Sequence, residues 1–142
     1  MKVKVVQYIE NTKEMRGNIL YIIGLVGPFG SGCSYVAEKI ADIFGYEILS
    51  LSDVLRNEFK LEYPNKRKVG RKDLQDFGDK IRKEKGCDYL AKTICEKIKL
   101  DENKNYVVDS IRNPEEVNIL RRSFAQFFLL GYLRNLICVG NV

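Results

Sequence analysis

Apolar positions recur along the chain in two rhythms, one continuous and short, the other spaced by three and four. Ile19 to Val26 is an unbroken apolar run rich in β-branched residues. It is bounded by Gly17-Asn18 and Gly27-Pro28, the pattern of a strand buried on both faces. From Cys33 the rhythm changes to Val36, Ala37, Ile40, Ala41 and Phe44, which lines one side of a helix that Gly45 stops. Tyr46 to Leu49 reads as a short strand, and Ser52 and Asp53 as caps of a helix carrying Val54, Leu55 and Phe59. Two amphipathic helices follow, one marked by Leu74, Phe77 and Ile81, the other by Leu90, Ala91, Ile94, Cys95 and Ile98, with Gly86 as the break between them. Tyr106 to Val108 forms a strand ending at Asp109, and Pro114 opens a helix bearing Val117, Leu120 and Phe124. Phe127 to Leu130 is a fourth strand. In the first eighteen residues Lys2 and Lys4 alternate with Val3 and Val5 like a short strand that has no evident partner.

Strands alternating with helices imply parallel strands joined by right-handed crossovers, hence an α/β layered fold. With 142 residues, 45% hydrophobic and 30% charged, the chain fits one soluble domain with a real core. Residues 19–131 are the expected domain, 1–18 an N-terminal extension and 132–142 an irregular tail. No apolar run approaches the roughly 20 residues that span a bilayer, and the N-terminus has no signal-peptide core, so a cytoplasmic address without membrane partners is expected. Cys33, Cys87, Cys95 and Cys138 lack paired Cys-x-x-Cys spacing, which argues against a zinc site or a disulfide framework. Histidine is absent altogether, so any acid–base chemistry falls to other side chains.

Charge adds one local feature. Residues 56–72 carry seven basic side chains (Arg56, Lys60, Lys66, Arg67, Lys68, Arg71, Lys72) against Glu58 and Glu62, equal to the net +5 of the whole chain. Such a segment either attracts phosphorylated ligands or is simply a solvated loop.

The chemistry concentrates in Gly27-Pro28-Phe29-Gly30-Ser31-Gly32-Cys33-Ser34, placed at a strand-to-helix turn. Its spacing matches G-x-x-x-x-G-K-[ST] except that Cys33 stands where the lysine belongs. The glycines allow successive N–H groups to converge on a phosphate at the positive end of the following helix. Ser34 keeps the hydroxyl that reaches a magnesium ion. The alternative is an ordinary glycine-rich βα turn. A thiol cannot bridge β- and γ-phosphates or neutralise charge on a transferred group, so nucleotide binding is expected to survive where catalysis weakens.

At this point the chain resembles the P-loop nucleotide kinases, that is, the nucleoside and deoxynucleoside monophosphate kinases and dephospho-CoA kinase. The resemblance spans roughly residues 19–131. It implies a P-loop NTPase three-layer sandwich with a parallel sheet, ATP and Mg2+ as cofactors, and a small-molecule nucleotide as partner. Within Ser50-Leu-Ser-Asp-Val-Leu-Arg56, Asp53 and Arg56 look like the family's acceptor-site aspartate and phosphate-binding arginine. Asp109-Ser-Ile-Arg112 looks like its D-x-x-R segment, with Asp109 supporting the metal alongside Ser34 and Arg112 holding the acceptor phosphate. Arg71, Leu74-Gln75, Gly78, Arg82 and Gly86 look like substrate-side helices. The resemblance thus implies Asp53 and Asp109 as catalytic residues and Arg56, Arg71 and Arg112 as substrate ligands. Residue by residue, helix capping for Ser52, Asp53 and Asp109, and plain solvent exposure for Arg56 and Arg112, stand as alternatives.

The Gly-Ser-Gly-Cys-Ser loop, Leu-Ser-Asp at 51–53 and Asp-Ser-Ile-Arg-Asn-Pro-Glu-Glu-Val at 109–117 also resemble the kinase-like N-terminal domain of fused deoxycytidylate deaminases. The zinc-deaminase signatures of that group are absent, which excludes deamination by this chain. The resemblance further implies a lid, a fifth strand and a final helix after Gly131. The remaining residues are too few for these, so the domain is expected to be C-terminally truncated, with a C-terminal domain missing, Arg134 as a stray charge or lid remnant, and the fourth strand left at an uncovered edge. Two other function classes compete with phosphoryl transfer: a nucleotide-sensing regulatory module, and nucleic-acid binding through the basic 56–72 segment, where, with Phe59 assigned to the helix, Tyr63 is left to offer base stacking.

Overall fold

The computed structural model describes residues 19–27, 32–133 and 136–140. Ten elements follow in chain order: β1 Ile22–Val26, α1 Cys33–Phe44, β2 Glu47–Ser50, α2 Leu51–Glu62, α3 Arg71–Lys85, α4 Tyr89–Leu100, β3 Tyr106–Ile111, α5 Pro114–Ser123, β4 Phe127–Leu133 and β5 Leu136–Gly140. The sheet order is β2-β3-β1-β4-β5. The first four strands run parallel, and β5 pairs antiparallel with β4.

Because side chains alternate across a strand, the sheet carries two apolar faces. Leu25 and Val107 face α1 together with Ala37 and Tyr46. Ile22, Tyr106, Val108 and Ile111 face the opposite way, onto Leu51, Val54, Phe77, Ile94, Ile98 and Leu120 from α2 to α5. Helix, sheet and helices therefore form the three layers expected from the sequence. Among the described residues no helix is long and apolar enough to cross a membrane.

β1 lies at the centre, between β3 and β4. Its Gly24 is a packing requirement, because a Cβ there would lie 2.7 Å from Phe127 Cζ and 2.9 Å from Ile111 Cδ1. In β3 the register slips: Gly24 faces Val108 but Val26 faces Ile111, so β3 holds one extra residue. Ser110 takes up the bulge with φ 65°, uncommon for a residue with a side chain.

Three local expectations are corrected. α2 starts directly from Ser50 at the end of β2, so Ser52 and Asp53 fall in its first turn instead of capping it. β3 continues through Asp109 to Ile111, which removes Asp109 as a helix cap. Leu136–Gly140 is a strand where an irregular tail was expected, and its pairing covers the outer edge of β4. Only Arg134 and Asn135, outside the described residues, separate these strands. A connection that short requires antiparallel pairing, since a parallel crossover needs a dozen or more residues.

Candidate functional site

α1 begins where the chain leaves Gly32 in the left-handed region at φ 84°, and the Val36 N–H donates to Gly32 O at 3.0 Å to close the first turn. Ser34, in that turn, is carried against the end of β3. Its Oγ donates to Asp109 Oδ2 at 3.0 Å. Asp109 is only 6% exposed, and its other oxygen accepts the Ser110 N–H at 2.7 Å. Two residues 75 positions apart thus form a hydroxyl–carboxylate pair at the mouth of a helix. Pro28, Phe29, Gly30 and Ser31 lie outside the described residues, whereas Gly27 and Gly32 flank this point.

A cleft of about 1320 Å³ opens from this pair across the carboxyl ends of β1, β2 and β3. Gly27, Gly32, Cys33, Ser34, Asp53, Arg56, Arg71, Asp109 and Arg112 all line it. Every candidate within the described residues is therefore gathered around one cavity, in the crevice where open α/β sheets bind ligands. Opposite the α1 terminus the wall is formed by α2 and α3. There Arg56 Nη1 donates to Asp53 Oδ1 at 3.1 Å, with both side chains more than half exposed. The expected partner of Arg56 was a ligand phosphate shared with Arg112; in this structure its first partner is Asp53, one turn earlier on α2.

Three residues of the site, Ser50, Ser110 and Glu116, were not singled out from the sequence. Ser50 Oγ donates to Ser110 Oγ at 3.4 Å, linking the ends of β2 and β3 beside Asp109. Ser110 itself occupies the strained bulge position, which no local pattern announces. Glu116 is fully buried, and Arg82 ion-pairs with it across the cleft wall at 3.5 Å. A signal for Glu116 was present, since Asn113 followed three residues later by Glu is a capping-box spacing.

Ser34 and Asp109 supply hard oxygen donors, the type that suits a small divalent cation completed by phosphate oxygens and water. Among the described residues no group of three His, Cys, Asp or Glu side chains could hold a metal by itself.

A parallel sheet whose central strand turns through glycines into a helix, with a Ser–Asp pair at that helix's start, defines a P-loop kinase-like domain. The AAA domain profile matches residues 26–128, and the chain belongs to that family. It is 31% identical over 115 residues to a UPF0200 protein of Methanothermobacter thermautotrophicus, covering 79% of this chain and 54% of that one. A UPF0200 protein of Aeropyrum pernix is 33% identical over 113 residues, covering 78% and 56%. The chain spans about half the length of these curated relatives. A gluconokinase from Sinorhizobium meliloti 1021 aligns with a TM-score of 0.41 at 22% identity, covering 82% of this chain and 58% of that one.

Proposed function

We propose that the domain binds ATP with Mg2+ at Gly27 to Ser34, and that its reaction is transfer of the γ-phosphoryl group to a nucleotide-like acceptor on the α2–α3 side of the cleft. The observation that carries this reading is the Ser34–Asp109 hydrogen bond at the first turn of α1. It joins the two residues that we read as supporting magnesium, in a cleft that Arg56, Arg71 and Arg112 also line. The metal would neutralise charge on the β- and γ-phosphates. The P–O bond to the β-phosphate breaks, a bond to an acceptor oxygen forms, and ADP leaves. Asp53 orients or deprotonates the acceptor, Arg71 and Arg112 hold its phosphate, and Arg56 joins them on leaving Asp53. Turnover is slow, because Cys33 carries no positive charge to the γ-phosphate.

The test is an amide NMR titration with ATP, with and without Mg2+. Gly32, Cys33 and Ser34 shift in the wild-type protein, and Asp109→Asn abolishes the added effect of the metal. A folded protein whose Gly32–Ser34 amides ignore ATP would sink the proposal. Cys33 itself favours a second reading, a nucleotide-sensing module related to the deoxycytidylate deaminase type, in which the bound nucleotide acts on a neighbouring domain without being cleaved.

A further inference from the structure

Glu116 is a carboxylate with no exposed surface, and its bonds point in two directions. Oε2 accepts the backbone N–H of Arg112 at 2.7 Å and of Asn113 at 3.2 Å. Oε1 receives Arg82 Nη2 at 3.5 Å. Asn113 completes a capping box by accepting the Glu116 N–H at 2.9 Å, and its Nδ2 donates to Cys87 O at 3.1 Å, tying the start of α5 to the α3–α4 connection. A cap alone accounts for Oε2. It leaves Oε1 and the arginine unexplained.

Arg82 is also held from below. A Cβ at Gly78 would lie 3.2 Å from Arg82 Nη1, a tight contact, so the guanidinium packs closely over that turn of α3. Its Nε–H is buried and has no hydrogen-bond partner among the described residues. Arg82 and Arg112 both line the cleft. The Arg82 side chain is 24% exposed, so its guanidinium, and not the enclosed Nε–H, is what an anion in the cleft can meet.

We infer that Glu116 is a positioning residue for the acceptor subsite: through Oε2 it fixes the backbone that presents Arg112, and through Oε1 it orients Arg82, whose guanidinium then meets the same phosphate-like anion. This rests on the reading of the α2–α3 side as an acceptor site, and it adds Arg82 as a ligand contact and Glu116 as the link between two arginines. Glu116→Gln separates this role from capping. Glutamine keeps the size and one acceptor oxygen for the amides, but loses the charge that holds Arg82.

The experiment follows arginine Nε–H and backbone amide resonances of the full chain while inorganic phosphate is added, with ATP in a parallel series. In wild type the Arg82 Nε–H and the Arg112 amide shift with one common phosphate affinity. Glu116→Gln remains folded, loses the Arg82 response and binds phosphate about tenfold or more weakly, the loss expected for a charge-assisted bond. Its ATP response at Gly32–Ser34 stays that of wild type. Arg82→Lys, which retains a cation for Glu116 but lacks the planar guanidinium fork, shows the same loss and serves if Glu116→Gln does not fold. The inference is overturned if the Arg82 Nε–H stays still at saturating phosphate, or if folded Glu116→Gln or Arg82→Lys binds phosphate like wild type. Failure of the ATP series alone would instead remove the nucleotide reading of the glycine loop.

Discussion

Cys33 is the first residue of α1 and lines the cleft beside Ser34. In a P-loop this position carries the cation that follows charge onto the transferred phosphoryl group. Around it stand the left-handed Gly32 before it, the hydroxyl of Ser34 after it, and Asp109 within hydrogen-bond reach of that hydroxyl. Cys33→Lys is therefore expected to tighten ATP binding by about 10- to 100-fold, the worth of one charged hydrogen bond at ~1.5–3 kcal/mol. It is also expected to raise phosphoryl transfer from labelled ATP to a panel of nucleoside monophosphates from background to a measurable rate. Calorimetry reads the first effect and product chromatography the second. Tighter binding without transfer would favour the sensing module over the kinase-like reaction.

At the scale of elements, the helices hold their starts through different devices, and one of these is sensitive to pH. Asp73, in the first turn of α3, accepts Lys66 Nζ at 2.8 Å and the Gly70 N–H at 2.9 Å. The Lys66 hydrogen bond and then the Gly70 amide hold its carboxyl below the usual aspartate range. A lowered folded-state pKa means that the contribution is complete above the unfolded value and is lost as pH falls through the folded one. The start of α3 should thus fray only in acid below the ordinary aspartate range. A carboxyl-resolved NMR titration will place the Asp73 midpoint below that of an unfolded aspartate, with Gly70 exchange accelerating at the same pH, and Lys66→Ala will move the midpoint upward. A midpoint unchanged by that substitution would refute the assignment.

Elements of this kind were legible to unequal degrees. α1, α3, α4 and α5 declare themselves through the three-and-four spacing of Ala37, Phe77, Ile94 and Leu120 with their neighbours, because each buries one stripe. The start of α2 was misplaced by two residues, since Ser50 ends a strand and begins a helix with no linker to mark the change. β5 did leave a local trace, the apolar run Leu136-Ile137-Cys138-Val139 closed by Gly140, but a run that short does not by itself declare a strand without the β4 ladder it pairs with.

For the whole molecule, the site was legible because parallel topology delivers separate motifs to one place. The glycine turn, Asp53–Arg56 and Asp109–Arg112 follow successive strands, and the order β2-β3-β1 sets their ends side by side. The tie between Glu116 and Arg82 was not legible, since the two lie 34 positions apart and the Asn113–Glu116 spacing announces only a helix cap.

The same topology places its tightest demand at Gly24, where β3 and β4 close over the central strand and Phe127 and Ile111 meet above the missing side chain. Gly24→Ala gains about 0.4–1 kcal/mol by restricting the unfolded chain. Against this stands a methyl group 2.7 Å from an aromatic carbon and 2.9 Å from an aliphatic one, an overpacking that costs about 1–3 kcal/mol. The steric effect wins, and Gly24→Ala is expected to lower stability in urea denaturation. Phe127→Leu removes the ring that the new methyl would strike, so Gly24→Ala should cost less in that background than in wild type. Equal costs in the two backgrounds would show that the ring is not what Gly24 makes room for.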